Sequence, residues 1–224
     1  MNSLNRYRET VKGFYDNDLQ IQSSSLRDFP KGVFFCLPLE SKLTSVVFDA
    51  NDISRAITRI AHEILERNKG AANLAIIGIR TRGVTLAQRI RSKINEIENT
   101  EIDFGILDIT LYRDDLASGK QNPTIEQTNI PFPLEEKQVV LIDDVLFTGR
   151  TIRAAIDALI DFGRPSAVQL GVLIDRGHRE LPIRPDYVGK NIPTSKTNRV
   201  MVKMIEDDGI DEVQIIDSST ANNF

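Results

Sequence analysis

Short apolar runs alternate with amphipathic stretches from residue 46 almost to the end of the chain, and that alternation restricts the fold more than any other feature. Residues 74–79, 138–142 and 168–174 are almost continuously apolar over strand length, as the buried strands of a parallel sheet are. Helical periodicity separates them. Ile53, Ala56, Ile57, Ile60, Ala61, Ile64 and Leu65 mark one apolar face, with Asn51 or Asp52 as the expected N-cap and Lys69-Gly70 as the stop. Further helices are expected over 82–98 and 149–162, the second closed by Gly163 and Pro165. Residues 102–112 read as a long strand, and 200–205 and 213–216 as shorter ones. Strands alternating with helices give an α/β fold, a mainly parallel twisted sheet flanked by helices. Such sheets bind ligands beyond the C-terminal ends of their strands, so the residues after 79, 112, 142 and 174 are the ones to inspect.

After 142 the chain reads Asp143-Asp144-Val145-Leu146-Phe147-Thr148-Gly149-Arg150-Thr151 and enters a helix. A helix N-terminus offers unpaired N–H groups and a partial positive charge, which together hold a phosphate. Gly149 lets the backbone approach that phosphate, and Thr148 and Thr151 can add hydroxyl donors. Asp143 and Asp144 lie one short loop away, the distance of a sugar from its own 5′-phosphate; there they could hold ribose hydroxyls and favour a developing cation. A lone Thr-Gly-Arg-Thr is equally compatible with a capped turn beside two solvated aspartates. The segment is neither a Walker loop, lacking the Gly-Lys-Ser/Thr ending, nor a GxGxxG dinucleotide loop.

Two other strand ends carry candidates. Arg80, Thr81 and Arg82 form a glycine-flanked basic turn suited to a pyrophosphate, or simply to capping the next helix. Residues 113–129 form a long polar loop opened by Arg113; it reads either as a charged surface turn or as a cover that closes over the site and excludes water.

The charge balance excludes some partners. A net charge of −4 argues against a chain basic all over but leaves room for a local basic face. Cys36 is the only cysteine, so an intrachain disulfide is impossible and a thiolate metal site is not expected; this suits a reducing cytoplasm. His62 and His178 are too few for a zinc site, no apolar run is long enough for a membrane, and no secretory leader is read. Residues 1–45 show no sustained period and read as a poorly ordered extension, or as an overcalled start with initiation near Leu43 or Val46; residues 46–224 read as one domain.

The strand, the acid pair and Thr-Gly-Arg-Thr resemble the 5-phosphoribosyl-1-pyrophosphate (PRPP) motif of type I phosphoribosyltransferases. Four stretches, 55–63, 108–115, 175–182 and 187–195, further resemble the bifunctional members of that family, which attenuate pyrimidine operons and act as uracil phosphoribosyltransferases. The resemblance covers about residues 46–205. It implies that uracil and PRPP give UMP and pyrophosphate, with Mg2+ carried by substrate oxygens and water. It also implies that Asp143 and Asp144 serve the ribose, with Arg113 in the loop that covers the site. The residues from Val145 through Leu146, Phe147, Thr148, Gly149 and Arg150 to Thr151 take the 5′-phosphate, Arg80, Thr81 and Arg82 the pyrophosphate, and Leu173, Asp175 and Arg176 the base. The resemblance suggests a homo-oligomer, a dimer or higher.

A second implied partner is a stem-loop in the leader mRNA of pyrimidine genes, bound when UMP is present. The matching positions are Arg55, Thr58, Arg59, His62, Arg67, Arg179, Arg184 and Lys190. The sequence supports part of this set, because Arg55, Arg59, His62 and Arg67 make a basic ridge clear of the apolar stripe of one helix. A solvated face with Glu63 and Glu66 as local partners explains the ridge from charge alone. Two positions depart from the family's pattern: Arg80 stands where lysine is common, and Phe147 where tyrosine is common.

Overall fold

The computed structural model describes residues 44–112 and 127–217. Nearly all of the expected N-terminal extension, and Arg113 with most of its loop, lie outside them. Strand β1 (Thr44–Phe48) leads into helix α1 (Ala50–Asn68), followed by β2 (Leu74–Ile79), α2 (Arg82–Glu98) and β3 (Asp103–Leu107). After a 3-10 turn at Thr110–Tyr112 come β4 (Gln138–Leu146), α3 (Arg150–Phe162), β5 (Ala167–Asp175) and β6 (Tyr187–Asn191). The described chain closes with β7 (Asn198–Lys203), a short α4 (Ile205–Asp208) and β8 (Glu212–Asp217). Five strands form a parallel sheet in the order β3-β2-β4-β5-β6, and three form an antiparallel sheet in the order β1-β8-β7.

Side chains alternate across the parallel sheet. Ile76, Val140 and Ile142 face α1 and α2, where they join Ile53, Ile60, Ile64, Leu86 and Ile90. Ala75, Ile77, Val139 and Leu141 face α3 on the other side with Ala155, Ala158 and Leu159. Each Ile or Leu fully buried in this way contributes roughly 1.5–3 kcal/mol.

Local chemistry moved several expected boundaries. Helix α1 is capped by Asp49 rather than by Asn51 or Asp52. Its carboxylate accepts from the Asp52 N–H at 2.8 Å, and the Asp52 carboxylate accepts from the Asp49 N–H at 3.3 Å, a capping box. The helix ends as expected, with Lys69 in the left-handed region and the Gly70 N–H donating to the Leu65 carbonyl at 2.9 Å. The long strand expected over 102–112 stops at Leu107. The Asp108 carboxylate there accepts from the Thr110 N–H at 2.8 Å and from its hydroxyl at 2.5 Å, which turns the backbone out of the sheet. Strand β4 runs four residues past Ile142, because β5 continues beside it and pairs Val145 with Ile174 and Leu146 with Asp175. Strand β6 had no readable signal in its Val-Gly-Lys-Asn sequence.

The antiparallel sheet is fixed to α2 by one acidic turn. Arg82 donates to Asp208 through Nε at 3.2 Å and Nη2 at 2.9 Å, and the Thr85 hydroxyl donates to Asp207 at 2.7 Å. Arg89 donates to both Glu206 and Asp211. Hydrogen bonds from Arg89 hold the Glu206 and Asp211 carboxyls below their ordinary values, and those from Arg82 do the same for Asp208. A carboxyl depressed in the folded chain stabilises it above the unfolded value, and that contribution disappears as pH falls. The thermal midpoint is therefore expected to drop on acidification through the carboxylate range, and Arg89→Gln to flatten the drop. Parallel profiles for the two proteins would contradict this role.

Candidate active site

The ends of β2, β4 and β5 converge at one edge of the sheet. Strand β2 stops at Ile79, the Arg80 N–H donates to the Leu107 carbonyl at 3.1 Å, and the Arg80–Thr81 peptide is cis. Thr81 then caps α2, and Gly83, in its first turn, rests on β4. A methyl group at Gly83 would lie 2.6 Å from the Ile142 carbonyl oxygen and 3.2 Å from Asp143 Cα, closer than a side chain tolerates. The missing side chain is what lays the Arg80–Arg82 turn against the acid pair.

Asp143 and Asp144 lie within the last residues of β4 rather than in a free loop. Asp143 is 6 % exposed, and its carboxylate accepts from the Asp144 N–H at 3.0 Å. The Asp144 carboxylate accepts from the Val145 N–H at 2.9 Å. Burial pushes the Asp144 carboxyl up, opposed by the Val145 N–H and by the charge of Arg82 across the gap. The two candidate segments thus share one electrostatic neighbourhood.

The phosphate-loop candidates follow. Leu146 belongs to the core and Val145 packs against it, so their side chains face away from any ligand and their backbone does the framing. Gly149 caps α3 with φ 94°, a left-handed backbone that favours glycine, and makes no side-chain cap bond. The Arg150 N–H makes only a long bond, 3.4 Å, to Thr148 Oγ1, at a helix end whose partial positive charge favours an anion. The loop is pinned from behind: the Thr148 carbonyl accepts from the N–H groups of Glu180 and Leu181 at 3.0 and 3.1 Å, and Arg150 Nε donates to Glu180 at 2.8 Å. Thr151 stands half-buried in the first turn of α3.

Beyond β5 the candidates separate. Leu173 is fully buried in the core rather than lining the site. The Asp175 carboxylate accepts from the Gly177 N–H at 2.9 Å and from Arg179 Nη2 at 2.5 Å. Arg176 is 7 % exposed; it donates to Thr194 Oγ1 at 3.2 Å and to the carbonyls of Ser195 and Asn198 at 3.0 and 2.7 Å. Its guanidinium stacks 4.1 Å from the Phe147 ring centre, and His178 meets the same ring edge-on at 6.0 Å. The Phe147 ring thus belongs to a wall with Arg176 and His178, a pairing that no spacing in the sequence revealed.

The basic ridge forms along α1 where it covers β6, an edge strand. Arg59 donates through Nη2 to the Val188 carbonyl at 3.0 Å and to that of Gly189. Arg67 pairs with Asp186 at 2.8 Å, Arg55 pairs with Asp52 at 2.5 Å, and the Thr58 hydroxyl bonds back to the Ser54 carbonyl at 3.0 Å. His62 is exposed on the same helix, and Lys190 on β6 bonds the Val47 carbonyl at 3.3 Å. Arg179 is not part of this surface. It is tied to Asp175 and to the Phe147 carbonyl, inside the wall of the site. Arg184 is exposed, one residue past Ile183, which packs beside Gly149. A polar cluster of Asn68, Gln169 and Tyr187, also unforeseen, locks the end of α1 to β5 and β6 through bonds of 2.7–3.0 Å.

Known proteins resemble this chain in sequence or in fold. Residues 45–206 match the model of the phosphoribosyl transferase domain. A protein of Deinococcus radiodurans named Bifunctional protein PyrR is 60 % identical over 173 residues, 77 % of this chain and 94 % of that protein. The protein of that name from Acetivibrio thermocellus is 62 % identical over 171 residues, 76 % and 93 % of the two chains. Among solved structures, the hypoxanthine phosphoribosyltransferase of Trypanosoma cruzi aligns with a TM-score of 0.60 at 16 % identity, covering 78 % of this chain and 97 % of that one. The hypoxanthine phosphoribosyltransferase of Staphylococcus aureus aligns at 0.57 and 19 % identity, covering 80 % and 94 %; these two likenesses bear on the fold. The acid pair at the end of β4, the glycine-capped helix after it and the extent of these matches place the chain in the phosphoribosyl transferase domain family, among its bifunctional PyrR members.

Proposed function

We propose that this protein transfers the 5-phosphoribosyl group of PRPP to uracil, releasing pyrophosphate and UMP, and that with UMP bound it grips a stem-loop in the leader mRNA of pyrimidine genes. The observation that carries the transferase half is the convergence of three elements at one sheet edge: the acid pair, the open N-terminus of α3, and the Arg80–Arg82 turn held against them by Gly83. The bond from ribose C1 to pyrophosphate breaks, a bond from C1 to the uracil nitrogen forms, and that nitrogen loses its proton. No covalent nucleophile is needed; positioning and charge do the work. The N–H groups of residues 147–151 hold the 5′-phosphate, Asp143 and Asp144 hold the ribose and face the cation that develops at C1, and Arg80, Thr81 and Arg82 receive the leaving group. The base lies against the wall of Phe147, Arg176 and His178.

Among the described residues no group of three His, Cys, Asp or Glu side chains is placed to hold a metal ion. On this reading a magnesium ion arrives on PRPP, held by its oxygens and water, and would neutralise the departing pyrophosphate. The leader RNA would lie along α1 and Lys190, with phosphates and unpaired bases as the groups contacted. On this reading residues 46–224 form the working domain of a homo-oligomeric cytoplasmic protein. Among the described residues no helix is long and apolar enough to cross a membrane. The direct test incubates the full chain with uracil, PRPP and Mg2+: UMP and pyrophosphate should accumulate one for one. Absence of UMP, in protein that still binds the leader RNA, would leave a nucleotide sensor without transferase activity.

A further inference from the structure

We infer that Asp208 is a positioning residue for pyrophosphate, acting through Arg82; the inference rests on the assignment of Arg82 to the leaving group. The Arg82 guanidinium is held by one edge only. Nε and Nη2 both donate to the Asp208 carboxylate, at 3.2 and 2.9 Å, while Nη1 makes no hydrogen bond among the described residues. A guanidinium fixed by its Nε–Nη2 edge presents its Nη1 end in a set direction. That end lies near the acid pair, because the next residue, Gly83, packs against the Ile142 carbonyl and Asp143 Cα.

Asp208 is itself fixed. Its Oδ2 accepts from the Met204 N–H at 3.0 Å, and the turn that carries it is fastened to α2 by Thr85 and Arg89. A free arginine would lose side-chain entropy on binding an anion, and this one is ordered beforehand. Helix α2 also has no acidic residue in its first turn and no side-chain cap. Asp207 and Asp208 supply carboxylates to that end from another part of the chain, through Thr85 and Arg82, while Glu206 and Asp211 bind Arg89 further along the helix.

The test is steady-state kinetics and pyrophosphate binding by calorimetry on the full-length chain carrying Asp208→Asn. Asparagine keeps an oxygen for the Met204 N–H and removes the charged fork. The KM for PRPP should rise, and binding of pyrophosphate with Mg2+ should weaken, each by about tenfold. The KM for uracil should stay within about twofold of wild type, which a general loosening of the fold would not allow. In an Arg82→Ala background the same change should add less than about twofold, because the group it orients is gone. Asp207→Ala, which removes the partner of Thr85 and leaves the hydrogen bonds of Arg82 in place, serves as the control for a merely structural turn and should leave the KM for PRPP near wild type. An unchanged KM for PRPP and unchanged pyrophosphate binding in Asp208→Asn would overturn the inference, as would an equal loss in the Arg82→Ala background. If Arg82→Ala alone leaves pyrophosphate binding intact, the assignment of Arg82 itself fails, a result distinct from the failure of Asp208.

Discussion

Asp144→Asn is expected to cut the rate of UMP formation by ~10²–10³-fold and, at the same time, to raise the thermal midpoint at neutral pH. Both effects come from one cause. Asp144 lies within β4, which β5 flanks as far as Leu146, so its carboxylate is half-buried and burial drives its pKa up. A carboxyl raised in the folded chain stabilises it when protonated, and that contribution is lost as pH rises through the folded value. At neutral pH the ionised group therefore weakens the fold, and asparagine of the same shape removes the weakness. In the proposed reaction the same ionised oxygen faces C1 and favours the oxocarbenium-like state, and asparagine cannot replace its charge. Thermal melts of both proteins from pH 5 to 8 check the argument: the gap in midpoint should widen as pH rises. A variant as active as wild type would remove Asp144 from the chemistry, and a gap independent of pH would remove burial as the cause.

Gly83→Ala is expected to destabilise the protein by roughly 1–3 kcal/mol and to lower transferase activity by about 10²-fold. Helix propensity alone points the other way, since alanine in place of glycine gains up to about 1 kcal/mol in a helix. The contact decides the sign. The added methyl would sit 2.6 Å from the Ile142 carbonyl oxygen, and that oxygen cannot retreat because Ile142 is paired on both sides, to Gly78 and to Gly171. The start of α2 must move instead, and with it the arginine turn departs from the acid pair. The KM for PRPP should rise along with the fall in kcat. Urea unfolding and kinetics on the one variant measure both effects; a more stable, fully active protein would show that α2 can slide without consequence.

The sheet was legible because its strands are buried on both faces and read as plain apolar runs. Residues 74–79 coincide with β2, and the helix expected over 82–98 coincides with α2. The layout of the proposed phosphate loop was legible because it is local: strand, acids, glycine and helix follow one another in sequence. What stayed hidden depends on residues far apart in the chain. Asp208 and Arg82 are 126 positions apart, and nothing in an acidic run after a strand tells which arginine it will meet. The stacking of Arg176 on Phe147 and the Asn68–Gln169–Tyr187 cluster are hidden for the same reason. Leu173 could be placed against the base from sequence because a residue near the end of a strand faces core or ligand according to its register, and here its side chain lies in the core. Arg179, given by the family resemblance as an RNA contact, is paired with Asp175 in the turn after β5, which no spacing in the sequence shows.

The proposal that nucleotide and RNA sites are coupled on one chain is tested most directly by titrating the full-length protein against a pyrimidine-operon leader stem-loop at fixed salt, with and without UMP. Binding that is tighter than to a control RNA of equal length, and tighter again with UMP present, is the expected result. Binding no stronger than to the control, and indifferent to UMP, would contradict it.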